Sequence, residues 1–146
     1  MKFPFKSIKT KYVFLLIRIM IGTVFLSEGI QKFLYPDQLG VGRFIKIGLP
    51  IPELFGYLVP VFEIVCGLLI LIGLYTRFAA IPLIIIMTVA IISTKIPILL
   101  NDGFWKMAHD SRTDWAMLIG SIIIMFADKG KLSVEKYLLK KSASRK

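Results

Sequence analysis

Residues 55–100 read FGYLVPVFEIVCGLLILIGLYTRFAAIPLIIIMTVAIISTKIPILL, which is two long apolar runs separated by the short segment Tyr75-Thr76-Arg77. Each run holds about the 20 residues that an α-helix needs to cross a bilayer core of about 30 Å. Both runs are continuously apolar, whereas the strands of a membrane barrel would alternate apolar and polar residues. This stretch therefore predicts two membrane helices in a tight antiparallel hairpin, with Thr76 as the N-cap of the second helix.

Two further apolar runs flank the hairpin, so that the predicted spans cover residues 12–35, 55–75, 78–100 and 113–128. The chain of 146 residues is 56% hydrophobic, which is more apolar surface than a soluble domain of this size can bury. The first run is too long and too charged for a cleaved signal peptide. We therefore predict an all-α integral membrane protein, a four-helix bundle that forms a single domain over residues 1–146.

The basic residues predict how the bundle is oriented. The formal net charge is +10, but the basic residues lie at the helix ends instead of on a soluble face, which argues against a nucleic-acid partner. Twelve of them precede the first span, lie in the second connection or follow the last span, against four in the other two connections. The positive-inside rule then places both termini in the cytoplasm. We expect a short interfacial helix within residues 36–54 and a basic interfacial tail over 129–146 that rests on the anionic inner leaflet.

Six ionisable residues fall within the predicted spans, where a central charge costs on the order of 3 kcal/mol. They are Arg18, Glu28, Lys32, Glu63, Lys95 and Asp114. The helical rise and the predicted orientation place all but Arg18 in the outer leaflet or at its rim. Glu63 has no basic residue near it on its own helix, so it must find a partner elsewhere, face water or stay protonated. We predict one intramembrane polar network of Glu28, Lys32, Glu63, Lys95 and Asp114.

Local explanations remain open for several of these charges. Glu28 and Lys32 are one helical turn apart and can form a local ion pair. Ser111 and Asp114 have the spacing of a capping box, and Lys95 can extend its ammonium group to the interface. Arg18, the charge of the inner half, can likewise extend to the interface or bind the C-terminal end of the second membrane helix.

Small residues on the first two spans predict where the helices approach one another. Gly22 and Gly29 share a face of the first span with Arg18 and Lys32, and Gly67 shares a face of the second with Glu63. Small residues on facing helices let the backbones pack closely in a membrane. We predict that these faces point into the bundle and that the three glycines allow close helix packing.

No residue set in the sequence supports catalysis or a resident cofactor. Cys66 is the only cysteine and His109 the only histidine, which excludes a dithiol centre and a bis-histidine haem site within one chain. No cluster has the spacing of a metal site, and no nucleophile or phosphate-binding motif points to an enzyme. We interpret Cys66 as an apolar core residue.

Several motifs together resemble one known family. They are Arg18-x3-Gly22-x2-Phe25-x3-Gly29-x2-Lys32, Glu63-x3-Gly67-x5-Gly73-Leu74-x-Thr76-Arg77-x-Ala79-Ala80, Gly48-Leu49-Pro50-x-Pro52-Glu53, Lys95-Ile96-Pro97, Gly103-Phe104-Trp105 and Arg112-Thr113-Asp114. Over nearly the whole chain this pattern is similar to the DoxX family of small four-helix membrane proteins. Many members have histidine where this chain has Lys95, and that departure argues against a histidine-dependent reaction.

The resemblance implies a multi-pass protein of the bacterial cytoplasmic (inner) membrane. The family is named for a subunit of an archaeal terminal quinol oxidase, and some members are linked to thiosulfate or quinone redox chemistry. It implies a non-catalytic component that supports a redox or quinone-linked system, with a redox protein or further copies of itself as partners. Phe25, Phe62 and the charges would contact a quinone. The alternative is a small carrier of protons or solutes that uses the same charges, with Glu63 as the titrating group.

Overall fold

The computed structural model describes residues 10–126, and the regular elements in that part of the chain are all helices. In chain order they are α1 (Thr10–Leu34), α2 (Val41–Lys46), α3 (Pro52–Ile72), α4 (Thr76–Asp102), α5 (Phe104–Asp110) and α6 (Arg112–Phe126). The all-helical prediction is confirmed for these residues. The predicted tail over 129–146 lies outside them.

Three of the described helices are long and apolar enough to cross a bilayer, namely Tyr12–Leu34, Pro52–Ile72 and Thr76–Asp102. They correspond to the first three predicted spans within a few residues at each end. The fourth predicted span, 113–128, corresponds to α6, which has 15 residues within the described part of the chain. Large apolar side chains such as Leu16, Ile85 and Leu100 face outward, as expected for helices that contact lipid.

The chain reverses direction between α3 and α4 within Gly73-Leu74-Tyr75. Gly73 has a φ of 75°, and the amides of Gly73 and Leu74 donate to the carbonyls of Ile70 (3.2 Å) and Leu69 (2.9 Å). This Schellman arrangement satisfies carbonyls that a helix end otherwise leaves unpaired. Tyr75 is also left-handed, with a φ of 47°, and it occupies the N-cap position of α4. Thr76 is therefore the first residue of α4 and not its N-cap.

Helices α1, α3, α4 and α6 pack in a closed order, because α1 contacts α3, α3 contacts α4, α4 contacts α6, and α6 contacts α1. The buried core between them is apolar, with Ile21 and Phe25 of α1 meeting Ile70 of α3 and Leu83 of α4. The helix pairs α1–α3 and α4–α6 share the most extensive interfaces. The bundle is therefore built from two helix pairs, and the α3–α4 hairpin joins them.

Two short helices lie at the same end of the bundle. The first connection contains the expected short helix, α2, which packs against α3. The second connection contains α5, which the sequence did not predict and which begins after Gly103 at a φ of 87°. Phe104 and Trp105 at the start of α5 are both exposed and contact each other edge to face, with ring centroids 5.3 Å apart.

Candidate functional site

Glycines bring α1 and α3 into backbone contact. A Cβ atom on Gly22 would lie 2.8 Å from the carbonyl oxygen of Gly67, and one on Gly29 would lie 2.8 Å from the carbonyl oxygen of Pro60. A Cβ on Gly67 would lie 2.9 Å from the amide nitrogen of Leu26. The three glycines predicted from the sequence therefore all lie in this interface. The backbones of α1 and α3 are close together at these glycines. Side chains one helical turn away on the two helices therefore contact each other directly.

Lys32 and Glu63 form a buried ion pair across the α1–α3 interface. The Lys32 ammonium donates to both carboxylate oxygens of Glu63, at 2.9 Å to Oε1 and 2.7 Å to Oε2. Their side chains are 10% and 4% exposed. Glu63 thus obtains its partner from another helix, one of the three outcomes that the sequence left open.

Glu28 completes a triad around the Lys32 ammonium. Its Oε2 lies 3.6 Å from Lys32 Nζ, one helical turn away on α1, and its side chain is 48% exposed. One ammonium group therefore lies between a buried carboxylate and a half-exposed one. With all three groups ionised the triad has a net charge of −1. The half-exposed carboxylate of Glu28 lies on its outward side.

Lys95 and Asp114 form a second cross-helix pair, between α4 and α6. Lys95 Nζ lies 2.9 Å from Asp114 Oδ2, and it also donates to the backbone carbonyl of Asp110 at 2.9 Å. Asp110 is the last residue of α5, so this bond satisfies one of the carbonyls that its helix end exposes. Lys95 therefore fixes both the end of α5 and the start of α6.

The five charges predicted as one network form two separate groups. Glu28, Lys32 and Glu63 lie between α1 and α3, and Lys95 and Asp114 lie between α4 and α6. Among residues 10–126 no ion pair joins the two groups. The reason is geometric: α4 contacts both α3 and α6, and Lys95 is on the side that faces α6.

Arg18 binds the C-terminal end of α3. Its Nε donates to the carbonyl of Ile70 at 2.9 Å, and its second terminal nitrogen donates to the carbonyl of Leu71 at 3.0 Å. A Cβ atom on Gly73 would collide with this guanidinium group. The sequence left two roles open for Arg18, at the membrane interface or at the end of a helix. In the structure the cation neutralises the negative C-terminal end of α3.

The connection around α5 holds further polar contacts outside the long helices. Lys106 Nζ lies 2.8 Å from Asp110 Oδ2, and this hydrogen bond lowers the pKa of Asp110 and raises the pKa of Lys106. The hydroxyl of Ser111 turns back toward α5, to Met107 Sδ at 3.5 Å and the Ala108 carbonyl at 3.4 Å. Asp114 pairs with Lys95, and the Ser111 hydroxyl bonds within α5. Ser111 and Asp114 therefore do not form the capping box that their spacing allows.

Comparison with known proteins assigns the chain to a family. The family model DoxX matches residues 13–96, which include most of α1, all of α3 and most of α4. The chain belongs to the DoxX family. This DoxX protein is 50% identical over 134 residues to "Uncharacterized membrane protein Rv3486" of Mycobacterium tuberculosis, an alignment that covers 88% of this chain and 82% of that protein. No solved structure matches.

The aromatic residues expected near the charges of the DoxX protein occupy different environments. Phe25 is buried in the core between the long helices, whereas Phe62, next to Glu63, is 41% exposed on the outside of α3. Cys66 is buried among apolar side chains, in agreement with its interpretation as a core residue. Among the described residues no group of three or more His, Cys, Asp or Glu side chains has the arrangement of a metal site.

Sequence reasoning missed the part that α5 plays in the DoxX protein. Lys95 binds the backbone carbonyl of Asp110, and a backbone contact is not indicated by any side chain in the sequence. The spacing of Lys106 and Asp110, four residues apart with a glycine before them, was the available indication of a short helix.

Proposed function

We propose that this DoxX protein is a non-catalytic component that supports a redox or quinone-linked system of the bacterial cytoplasmic membrane. The observation that carries the proposal is the Lys32–Glu63 pair, a buried polar site between two membrane-length helices with Glu28 at its open side. A buried charge pair is costly to maintain in a membrane helix, and such residues are retained mostly where they serve a ligand, an ion path or a partner.

The proposed arrangement has four spans with both termini in the cytoplasm. The asymmetry of twelve basic residues against four supports this orientation. The 15 residues of α6 extend about 22 Å, which is shorter than a bilayer core, and the predicted fourth span continues beyond the described residues. In this orientation α2, α5 and both lysine pairs lie on the outer side.

The chemistry of the site suits a ligand that accepts hydrogen bonds. A quinone ring presents two carbonyl oxygens, and its isoprenoid tail stays in the lipid. The Lys32 ammonium lies between two carboxylates, and it would donate to such an oxygen from the side of the half-exposed Glu28. Phe62, exposed beside Glu63, would contact the ring. A redox enzyme of the same membrane would then exchange electrons with the bound quinone.

The test is to extract the protein from native membranes in lipid nanodiscs and to identify bound quinone and co-purifying proteins by mass spectrometry. The matched variants are Lys32→Met with Glu63→Leu, which replaces one ion pair by apolar residues, and Lys95→Met with Asp114→Leu, which does the same at the other pair. We expect quinone and a redox protein with the wild type and the second variant, and neither with the first. Equal recovery from both variants, or no quinone and no redox protein with the wild type, would refute the proposal.

A second candidate function is a small carrier of protons or solutes. The observation that favours it is that the Lys32 ammonium lies between two unequal carboxylates. Glu63 is buried, with its Oε2 at 2.7 Å from Lys32 Nζ, and Glu28 is half-exposed, with its Oε2 at 3.6 Å. An ammonium group between two such acids can exchange partners when one of them takes up a proton. Proton flux into vesicles that contain this protein alone, lost in Glu63→Gln, would support the carrier and argue against a purely supporting role.

A further inference from the structure

The side of α1 that faces the middle of the bundle changes from buried to exposed along its length. Ile21, Phe25 and Glu28 follow one another in steps of four and three residues, which places them on one side of the helix. Ile21 and Phe25 belong to the core and are at most 2% exposed, whereas the side chain of Glu28 is 48% exposed. The core therefore covers this side of α1 up to Phe25 and ends before Glu28.

The core ends in the same way on α6 and α4. Met117 of α6 is buried, and Thr113, four residues closer to α5, is exposed. Met87 of α4 is buried, and Thr94, two helical turns further along, is partly exposed. None of the residues 88–102 of α4 is buried. The two helix pairs therefore pack closely in one half of the bundle and are less closely packed in the half that carries α2 and α5.

Helix α3 completes this picture, because Cys66 is buried and Val59, two helical turns closer to α2, is partly exposed. The two short helices stay with their own helix pairs, since α2 packs against α3 and α5 packs against α4 and α6. The space between the pairs thus opens at the end that carries α2 and α5. We call this space the cleft and define it by the residues Glu28, Val59, Thr94 and Thr113.

Glu28 and Thr113 lie at the same depth on two neighbouring helices. A Cβ atom on Gly120 of α6 would contact the side chain of Ile21 on α1, so these two residues are level. Glu28 follows Ile21 by seven residues, and Thr113 precedes Gly120 by seven on a helix that runs in the opposite direction. Both therefore lie about 10 Å beyond that contact. Since the membrane-length helix ends at Leu34, the cleft extends about 9 Å into the span.

The residues that line the cleft suit water better than lipid chains. Glu28 contributes a half-exposed carboxylate, and Thr94 and Thr113 contribute hydroxyl groups. A charge in contact with hydrocarbon costs on the order of 3 kcal/mol, so acidic residues of membrane helices mostly face the bundle interior or water. Two residues away on the opposite sides of α1 and α4, the exposed residues are Ile30 and Ile92. Each helix therefore has a polar side toward the cleft and an apolar side toward lipid.

We propose that water fills the cleft from the end that carries α2 and α5 and reaches Glu28 inside the membrane. The Glu28 carboxylate then contacts this water on one side and the Lys32 ammonium, at 3.6 Å, on the other. The cleft gives hydrated protons and small polar solutes a route to the Lys32–Glu63 pair, whose side chains are otherwise buried between α1 and α3. This route is open to any ligand of the pair and does not depend on quinone as that ligand.

The first test measures how fast single cysteines react with a membrane-impermeant, positively charged methanethiosulfonate. In a Cys66→Ala background, each cleft position is compared with the lipid-facing position two residues away, namely Glu28→Cys with Ile30→Cys and Thr94→Cys with Ile92→Cys. Both faces of the membrane are exposed to the reagent, so the orientation of the bundle does not affect the result. The cleft cysteines should react about tenfold faster, since the reactive thiolate forms in water and not in hydrocarbon. Equal rates within either pair would mean that lipid fills the cleft and would overturn the proposal.

The second test closes the cleft. Thr113→Trp places a large side chain at the depth of Glu28, and it should slow the reaction of the Glu28→Cys variant several-fold. The control is Ile119→Trp, at an exposed position on another side of α6, which should leave that rate unchanged. An unchanged rate with Thr113→Trp, or equal slowing by both variants, would show that Glu28 does not face the cleft. Neither measurement involves bound quinone, so a failure of the cleft and a failure of the proposed function are distinguishable.

Discussion

Lys32 and Glu63 show what a single bidentate contact does in a membrane bundle. Both oxygens of Glu63 accept from one ammonium group, and neither side chain is more than 10% exposed. Each charge is tolerated there because the other is present. The consequence at the scale of single residues is that removing one partner harms the protein more than removing both.

Lys32→Met should therefore destabilise the protein strongly, by roughly 3–5 kcal/mol, because it leaves the Glu63 carboxylate buried without its cation. The double variant Lys32→Met with Glu63→Leu should recover most of that loss. Thermal midpoints of both single variants and the double, measured in nanodiscs, give the coupling. Additive effects would mean that the contact contributes nothing to stability.

Lys95 provides the control for the Lys32–Glu63 pair, because its own partner is Asp114. Lys95→Met combined with Glu63→Leu should be additive within about 0.5 kcal/mol, because the structure has no contact between them. Lys95→Met combined with Asp114→Leu should be coupled, because these side chains meet at 2.9 Å. A strong coupling of Lys95 with Glu63 would instead support the single network that the sequence predicts.

At the scale of helices, backbone contact between α1 and α3 depends on residues without a Cβ atom. Gly67→Ala should lower the thermal midpoint, since the new methyl group would lie 2.9 Å from the backbone nitrogen of Leu26, which cannot move independently. Gly120→Ala is the control, because its nearest neighbour is the end of the flexible Ile21 side chain. Gly67→Ala should cost more stability than Gly120→Ala; the reverse order would contradict the close approach of α1 and α3.

Arg18 stabilises the end of α3 at the α3–α4 hairpin. Arg18→Met should destabilise the protein by about 1–3 kcal/mol, because the carbonyls of Ile70 and Leu71 lose a charged donor. Arg18→Lys should retain part of that stability, since one ammonium group cannot reproduce the two-nitrogen contact. Unfolding monitored by circular dichroism in nanodiscs would rank the three proteins. Equal stability of Arg18→Met and wild type would show that water already satisfies those carbonyls.

The same helices show what the sequence could and could not predict. Hydropathy predicted the three long helices within a few residues, and Gly22, Gly29 and Gly67 predicted a close helix approach, which the structure has between α1 and α3. Depth along a helix follows from residue number, which is why the sequence predicts similar depths for Glu28, Lys32, Glu63 and Lys95. The order of helices around the bundle does not follow from residue number. For that reason Lys95 was expected beside Glu63, and the structure pairs it with Asp114 across α4 and α6.

For the whole molecule, the main prediction concerns orientation. In a Cys66→Ala background, cysteines introduced within 40–46 and 101–106 should react with a membrane-impermeant maleimide in intact cells, and cysteines after residue 131 should not. The reason is the asymmetry of basic residues, twelve against four. Opening the cells should make the tail positions reactive, which is the control for accessibility. Labelling of the tail in intact cells would reverse the assignment.

The pairing of each lysine with an acid on the next long helix also bears on how the protein is made. Lys32 leaves the ribosome 31 residues before Glu63, and Lys95 leaves before Asp114. A hairpin that inserts as a unit therefore carries its own neutralising partner into the lipid, so neither lysine depends on a helix from the other half of the chain. The translocon can release α1 with α3 first and α4 with α6 second, each as an electrically compensated pair, and the hairpin at Gly73 then lets the two halves dock.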